Sequence, residues 1–340
     1  MAIRVVIAGM GARGRDWVRE VRADSGFELA ACVDVDADVL RQASSGLTIP
    51  PEKCFEKLEN ALDQMKCEAV IVATDADNHT TACQTALARG LAVLVEKPFT
   101  LRLSEAVELV KLAEQKGVPL VVAQNYRYLR VHHTAKRLVR DGALGPITMV
   151  VSQYYRVPHQ MAASLARLHQ SVMWGMGVHH LDALRYVLGQ EIINVAAQSF
   201  TPPWSKLPPG ASMQALLAFA CGARGFYSAT YESSGHEFFE RGQEFYQRYV
   251  GELATLHVFH RWLVLCERGR LPRLVRRGRR DTTEENILLQ QMKRALVDGE
   301  DPESSGRDNL QTVAVMEACV RSATEQRWIN PQELFNEPGS

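Results

Sequence analysis

The sequence has no excess of charge and no long apolar run. Its 39 Lys and Arg residues balance 39 Asp and Glu residues, so no long-range basic field exists that would attract nucleic acid. Seven arginines fall within residues 268–280, but no aromatic residues accompany them for base stacking, which favours a solvated hairpin or loop. No apolar segment approaches the roughly 20 residues that a membrane-spanning helix needs. We therefore expect neither nucleic acid nor a membrane as a partner.

Cysteine motifs and signal-like segments are also missing. The seven cysteines show neither CxxC nor mixed Cys/His spacing, so we expect reduced thiols and no metal site. Residues 3–9 begin a strand almost at once, without the long apolar stretch of a secretory signal. We therefore expect a cytoplasmic protein.

The length of 340 residues predicts two domains, and the sequence pattern changes near residue 125. Before it, strands alternate with helices, with predicted strands at residues 5–8, 28–33, 67–73, 91–95 and 119–123. This alternation predicts a doubly wound parallel sheet of Rossmann type over residues 1–125. After it, apolar and polar residues alternate at 213–220, 225–231 and 253–259. That pattern predicts an α/β domain with a mainly antiparallel sheet over residues 126–340.

A glycine-rich segment follows the first predicted strand and opens the first helix: Gly9-Met10-Gly11-Ala12-Arg13-Gly14. In such a segment Gly9 allows the tight turn, Gly11 lets the backbone approach a pyrophosphate, and Gly14 lets the helix pack on the strand. The helix N-terminus then favours a negative charge. The alternative is a glycine-rich turn without a ligand, which the strand–loop–helix context disfavours. The segment predicts a dinucleotide site.

An acidic residue at the end of the second predicted strand indicates which dinucleotide binds. Asp34 lies twenty residues after Gly14, where a carboxylate accepts hydrogen bonds from the adenosine ribose. Because this carboxylate repels a 2′-phosphate, NAD is favoured over NADP. Arg13 and Arg15 could weaken that preference by attracting a phosphate, so NADP stays possible.

Two polar segments follow later strands of the predicted parallel sheet. Glu96-Lys97-Pro98 follows residues 91–95, and Gln124-Asn125-Tyr126-Arg127 follows residues 119–123. Residues beyond the carboxyl ends of parallel strands face the ligand crevice. There a partly desolvated Lys97 can donate a hydrogen bond to a substrate oxygen or relay a proton. The alternatives are a strand-end lysine that points to water and an ordinary crossover into the next helix.

A third polar cluster runs from Trp174 to Asp182 and contains two adjacent histidines. His179 and Asp182 lie three residues apart and therefore share a helix face. A histidine near a helix start can transfer a proton at neutral pH, although a structural role is the alternative. His179 and His180 point about 100° apart on a helix, which argues against a shared metal ion.

These motifs together resemble the glucose–fructose oxidoreductase / inositol dehydrogenase (Gfo/Idh/MocA) family. The most specific pair is Glu96-Lys97-Pro98 with the later Gly177-Val178-His179-His180-Leu181-Asp182. The resemblance implies a Rossmann domain joined to a domain with a large, open, mainly antiparallel sheet. It also implies that Lys97 and His179 act catalytically on a hydroxyl of a sugar or cyclitol.

The resemblance extends to the other candidate site residues. Besides Gly9–Gly14 and Asp34, it implies cofactor contacts from Thr74, Asp75, His79, Glu96, Lys97 and Asn125. The candidate substrate-binding residues are Tyr126, Arg127, Tyr155, Trp174, His180 and Asp182.

One position departs from the pattern of similar dehydrogenases. Gly175 stands where many of them have an Asp, four residues before the histidine. Asp182, His180 or one of the tyrosines Tyr126, Tyr154 and Tyr155 could replace the missing carboxylate. The departure keeps open a redox-neutral, NAD-dependent glycosidase or lyase that recycles its cofactor, as well as a non-catalytic NAD-binding sensor.

The sequence thus predicts hydride transfer between a nicotinamide and a hydroxyl-bearing carbon of a sugar-like or cyclitol substrate. It also predicts self-association. An open antiparallel sheet with one half-apolar face needs a cover, so we expect a homodimer or homotetramer formed through the sheet of the second domain.

Overall fold

A computed structural model describes residues 2–157, 169–233, 243–278 and 281–336. The last two arginines of the arginine-rich stretch, residues 279 and 280, lie outside the described residues. The solvated hairpin or loop expected there includes a short edge strand, Arg273–Val275, which pairs antiparallel with Leu263–Glu267.

The first 125 residues alternate between strands and helices, as their pattern predicts. The strands Ala69–Val72, Ala92–Val95 and Leu120–Val122 are short apolar runs in which every residue is buried, which is typical of a parallel sheet covered on both faces. The elements are β1 (Ile3–Ala8), α1 (Ala12–Ala23), β2 (Phe27–Val33), α2 (Ala37–Leu47), β3 (Cys54–Phe55), α3 (Leu58–Gln64), β4 (Ala69–Val72), α4 (His79–Ala88), β5 (Ala92–Val95), α5 (Leu103–Lys116) and β6 (Leu120–Val122).

The rest of the described chain is richer in long strands. No helix in the described ranges combines the length and the hydropathy that crossing a bilayer requires. The elements are α6 (Arg130–Arg140), β7 (Ile147–Arg156), α7 (Val178–Leu188), β8 (Ile192–Phe200), β9 (Ser212–Phe219), β10 (Arg224–Thr230), β11 (Gln243–Gly251), β12 (Ala254–Phe259), β13 (Leu263–Glu267), β14 (Arg273–Val275), α8 (Glu284–Asp298) and α9 (Gly306–Glu325).

The first sheet is parallel throughout, with the strand order β3-β2-β1-β4-β5-β6. The predicted Rossmann fold is therefore confirmed. The chain order reverses between β1 and β4, and ligands of open α/β sheets bind beyond the carboxyl ends of the strands at such a reversal. The glycine-rich segment after β1 and the loop after β4 lie at this point.

The second sheet has eight strands in the order β14-β13-β12-β11-β7-β10-β9-β8. Every neighbouring pair is antiparallel except β7 with β10, which is parallel. The prediction of a mainly antiparallel sheet is therefore confirmed. Along β7 the even-numbered residues 150, 152 and 154 are buried, whereas Met149 on the other face is exposed. Helices α6 and α7 pack on the buried side.

Contacts divide the described chain into two compact units, residues 2–125 with 282–313 and residues 126–281 with 314–336. Residues 282–313 fall within the predicted second domain, 126–340, but pack with the first unit. The reason is the apolar face of α8, whose Leu288, Leu289 and Met292 are fully buried. This helix packs on α1, β5 and β6.

Several elements were not predicted from the sequence: α2, α3, β3, β8, β11, β13 and β14. Strands β3 and β14 have two and three residues and helix α3 has seven, which is too few to show a hydrophobic period. In β8 a register shift between Ile192 and Asn194 interrupts the alternation.

Candidate active site

The three glycines of the first loop occupy three different environments. Gly9 has a φ of +93°, and a Cβ there would lie 2.4 Å from the backbone oxygen of Ala73. A Cβ on Gly14 would lie 1.8 Å from the backbone oxygen of Gly9. Gly11 has no atom within 4 Å of its Cβ position, and both it and Ala12 are exposed. The loop therefore leaves open space in front of Gly11 at the start of α1, which suits the pyrophosphate of a dinucleotide.

Asp34 is tied to the same loop. One of its carboxylate oxygens accepts a hydrogen bond from the backbone N–H of Met10 at 2.7 Å, and the other accepts from the N–H of Asp36 at 2.9 Å. These two bonds hold the half-buried carboxylate beside the turn between β1 and α1. A carboxylate at the end of this strand can accept hydrogen bonds from the ribose of a dinucleotide.

His79, at the start of α4, links the loops that follow β4 and β5. Its Nδ1 lies 2.8 Å from the carbonyl oxygen of Pro98 and its Nε2 lies 3.1 Å from that of Thr74. Thr74 also donates from its hydroxyl to the carbonyl of Asp75 at 3.3 Å. Burial lowers the pKa of His79, although both carbonyls favour its protonated form. The side chain thus braces two loops of the candidate cofactor site.

Glu96, the first residue after β5, is a buried carboxylate with three donors. It accepts hydrogen bonds from Arg13 Nε at 2.7 Å, Trp17 Nε1 at 2.9 Å and the backbone N–H of Lys97 at 3.3 Å. A buried carboxylate requires such partners, because its desolvation would otherwise cost several kcal/mol. Through Glu96 the glycine-rich loop, α1 and the loop of Lys97 form one polar network.

Arg13 connects this network to α8. Its guanidinium lies 2.7 Å from Glu96 and 3.0 Å from Glu285, and the Glu285 carboxylate also accepts from Asn125 Nδ2 at 3.3 Å. Burial alone would lower the pKa of Arg13, but the two carboxylates raise it overall. Since these carboxylates neutralise its charge, Arg13 adds little attraction for a 2′-phosphate.

Lys97 is half-buried at the carboxyl edge of the parallel sheet. Desolvation lowers its pKa, the nearby charge of Arg13 lowers it further, and Glu96 opposes both. A lysine whose pKa is lowered towards neutrality is better suited to exchange a proton or to donate a hydrogen bond to a reacting oxygen.

In the second unit, two of the candidate substrate-binding residues bind each other. Arg127 donates to both oxygens of Asp182, at 2.7 and 2.6 Å, and both side chains are almost fully buried. Arg185 approaches the same carboxylate at 3.6 Å and pairs with Glu191 at 2.6 Å. Breaking such a buried pair costs about 3–5 kcal/mol. The pair thus holds α7 in place, and the substrate-binding role of Arg127 and Asp182 stays a prediction.

The two adjacent histidines of α7 meet different aromatic partners. His179 stacks on Tyr126 with ring centroids 4.0 Å apart and planes inclined by 20°. His180 Nδ1 lies 3.2 Å from the hydroxyl of Tyr227, and its ring centroid lies 4.9 Å from that of Tyr154. Among the described residues, no group of three His, Cys, Asp or Glu side chains is arranged to hold a metal ion.

A π-helical turn, Met173–Gly177, leads into α7 and contains both Trp174 and Gly175. All five of its residues are buried, and a Cβ on Gly177 would lie 2.6 Å from the sulfur of Met173. Single π turns within helices frequently occur at functional sites. Gly175, which stands where many similar dehydrogenases have an Asp, is therefore part of a tightly packed turn.

Tyr155 lies on the other face of the sheet from this cluster. Its hydroxyl donates to Ser228 Oγ at 3.3 Å and accepts from Gln153 Nε2 at 3.3 Å. Tyr154, its neighbour, faces His180 because successive side chains of a strand alternate between faces. The substrate-binding role of Tyr155 stays a prediction, and Tyr154 is added as a candidate on the face of the histidines.

Sequence reasoning also missed two residues near Tyr154. Tyr231 lies with its ring centroid 6.4 Å from that of Tyr154, and Arg156 follows Tyr154 by two residues on the same face of β7. The only signal for them in the sequence is the alternation of side chains along residues 147–156. This alternation does not show which face of the strand is buried, because positions 154 and 155 are both tyrosines.

Two family models match the chain. The NAD-binding Rossmann fold of the GFO_IDH_MocA oxidoreductases matches residues 3–124, and the GFO/IDH/MocA C-terminal domain matches residues 132–271. The chain belongs to the Gfo/Idh/MocA family of oxidoreductases. The resemblance inferred from its motifs is therefore confirmed.

Members of the family with known activities are similar over half or more of the chain. D-apiose dehydrogenase of Paraburkholderia graminis is 27% identical over 350 residues, which span 96% of this chain and 89% of that protein. Inositol 2-dehydrogenase of Leifsonia xyli is 30% identical over 197 residues, 57% of this chain and 56% of that protein.

A solved structure of an oxidoreductase from Agrobacterium radiobacter, in complex with NAD+, L-tartaric acid and magnesium, has the same fold. It superimposes with a TM-score of 0.87 at 20% sequence identity, covering 98% of this chain and 100% of that one.

Gly14 and Gly11 differ most in their surroundings, so alanine substitutions at these two positions separate packing from dinucleotide binding. We expect Gly14→Ala to lower the free energy of unfolding by about 1–3 kcal/mol, because its Cβ would collide with the backbone of Gly9. Gly11→Ala should change that free energy by less than about 1 kcal/mol but weaken NADH binding, because its methyl group enters the open space. Denaturant unfolding and fluorescence titration with NADH measure the two effects. Unchanged NADH affinity in Gly11→Ala would show that the pyrophosphate does not approach there.

Proposed function

We propose that the protein is an NAD-dependent dehydrogenase that acts on a hydroxyl-bearing carbon of a sugar-like or cyclitol substrate. The observation that carries this proposal is Lys97, a half-buried lysine of lowered pKa at the carboxyl edge of the Rossmann sheet. It is bonded through Glu96 to the loop that leaves room for a dinucleotide. The names of two relatives, D-apiose dehydrogenase and inositol 2-dehydrogenase, support a polyol substrate.

The proposed roles of the side chains follow from their surroundings. Lys97 donates a hydrogen bond to the reacting oxygen, and His179 exchanges the proton of that hydroxyl as general acid and base. Tyr126, stacked on His179, holds the imidazole in one orientation. The nicotinamide, when bound, supplies the hydride chemistry.

The absence of an Asp at position 175 changes the relative contributions that we propose for Lys97 and His179. Gly175 is buried in the π turn, and the nearby Asp182 is occupied by Arg127. The carboxylate that many similar dehydrogenases have four residues before the histidine is therefore missing, and the carboxylate of Asp182 binds an arginine. For this reason we propose that Lys97 carries the larger share of the catalysis.

Substitution of Lys97 tests the mechanism. We expect Lys97→Ala to lower turnover by about 10²–10⁴-fold, the usual contribution of a general acid or base, with NADH affinity almost unchanged. His179→Ala should lower turnover by a smaller factor. Lys111→Ala is the matched control, because Lys111 is an exposed lysine on α5. Near-normal turnover of Lys97→Ala would contradict the mechanism.

The assay must also separate dehydrogenation from the two alternatives. A panel of sugars, cyclitols and glycosides is followed both by NADH absorbance and by product analysis. A dehydrogenase accumulates NADH in proportion to product. Bond cleavage without NADH would indicate a glycosidase or lyase that recycles its cofactor, and NAD binding without any turnover would indicate a sensor.

The preference for NAD over NADP rests on Asp34. We expect the wild type to bind NADH at least about tenfold, or 1.4 kcal/mol, more tightly than NADPH, because the carboxylate repels the 2′-phosphate. Asp34→Asn should reduce this ratio. Asp36→Asn is the control, because it removes a charge two residues away where the side chain only caps α2. A wild type that prefers NADPH would overturn the argument.

We propose further that the protein associates with itself through the outer face of the second sheet. Met149 and Leu216 are each 50% exposed there, and Trp328 is 46% exposed. They belong to the half-apolar face of the open sheet, which we expect a second copy of the chain to cover. The cytoplasmic location stays a prediction of the sequence.

Light scattering at micromolar concentration tests the association. We expect a dimer or tetramer for the wild type and a smaller species for Leu216→Arg, since the new charge would be buried in the interface. Leu271→Arg is the control, because Leu271 is exposed outside the strands. A monomeric wild type would rule out the proposal.

A further inference from the structure

Arg156 places a positive charge among the tyrosines of the second unit. It is the last residue of β7, and the alternation along this strand puts it on the same face as the buried Ser152 and Tyr154. Its charge acts on the phenols of Tyr126, Tyr154 and Tyr231. Burial raises the pKa of all three, that of Tyr154 to about 12, and Arg156 opposes the rise in each.

Among the described residues, Arg156 differs from Arg127 and Arg185 because no carboxylate pairs with it. Arg127 pairs with Asp182, and Arg185 pairs with Glu191. Within residues 2–157, 169–233, 243–278 and 281–336, no Asp or Glu side chain forms an ion pair with Arg156. A half-buried guanidinium without a carboxylate suits an anionic ligand, to which it can donate two parallel hydrogen bonds.

Two tyrosine hydroxyls beside Arg156 likewise have no acceptor among the described residues. The side chains of Tyr154 and Tyr231 are at most 1% exposed. Neither hydroxyl makes a hydrogen bond of ordinary geometry within the described part of the chain. The guanidinium of Arg156 lies near the Tyr154 hydroxyl but is itself only a donor. Leaving a buried hydroxyl unsatisfied costs about 1–3 kcal/mol. Oxygen atoms of a ligand would satisfy both hydroxyls.

We propose that Arg156, together with Tyr154 and Tyr231, binds an anionic group of the substrate. The preferred substrate is then an acidic sugar derivative, carrying a carboxylate or a phosphate, and not a neutral sugar or cyclitol. This assignment rests on the proposed dehydrogenase function and narrows its substrate class. Arg156 acts as a specificity-determining residue, since it binds a part of the substrate remote from the reacting carbon.

Binding of matched pairs of sugars tests the assignment without requiring turnover. Calorimetry on the protein with NADH compares D-glucose with D-glucuronate, D-galactose with D-galacturonate, D-xylose with D-xylonate, and D-glucose with its 6-phosphate. We expect at least one anionic member to bind about tenfold or more tightly than its neutral partner. Whether that member is a carboxylate or the phosphate identifies the anionic group.

Substitution then assigns the preference to this arginine. Arg156→Gln should weaken binding of the preferred anion by about 10- to 100-fold, the range for a hydrogen bond to a charged group, and leave the neutral partner unchanged. Arg156→Lys should restore part of the loss because it keeps the charge. Arg248→Gln is the matched control, because Arg248 lies on the opposite face of the same sheet and acts on Tyr246 and His257.

Two results would overturn the inference. One is a wild type that binds no anion more tightly than its neutral partner. The other is an Arg156→Gln variant, shown to be folded by its thermal unfolding, that loses affinity equally for both members of a pair. If no sugar yields NADH while anion binding still depends on Arg156, the dehydrogenase proposal fails and the anion site stands.

Discussion

The buried carboxylate of Glu96 is the interaction on which the first unit's site depends. A carboxylate with so little exposure must be surrounded by donors, and those donors come from Arg13 in the glycine-rich loop, Trp17 in α1 and the backbone of Lys97. Because Arg13 also binds Glu285, α8 joins the same network. The loop for the dinucleotide and the loop of the candidate catalytic lysine are thereby held in one arrangement.

The second unit uses the same principle around Asp182. Its carboxylate lies between two buried arginines, which fixes α7 relative to the segment that begins at Tyr126. With the helix held in this way, His179 stacks on Tyr126 while His180 reaches Tyr227. The ion pairs of Asp182 therefore fix the position of α7 and of its two histidines. Arg156, the guanidinium of the cluster without a carboxylate among the described residues, is the one suited to a ligand.

Much of the fold was predictable because its signals are local. Fully apolar runs such as residues 92–95 indicate buried parallel strands, and the glycine spacing after β1 indicates a dinucleotide loop. Lys97 was identified because it follows such a run. The packing of α8 with the first unit was not predicted. The sequence shows that Leu288 and Met292 form an apolar face but does not show which sheet that face covers.

The sequence by itself determined the Rossmann topology, the mainly antiparallel second sheet, the glycine-rich loop and the family. Each rests on the order or spacing of nearby residues. Only the tertiary structure decided that Arg13 pairs with Glu285, far along the chain, and that Arg127 pairs with Asp182. It also decided that Tyr154, and not Tyr155, faces the histidines. A one-residue shift in register exchanges the two faces of a strand, and long-range pairing of charges depends on how distant segments pack, which no local pattern encodes.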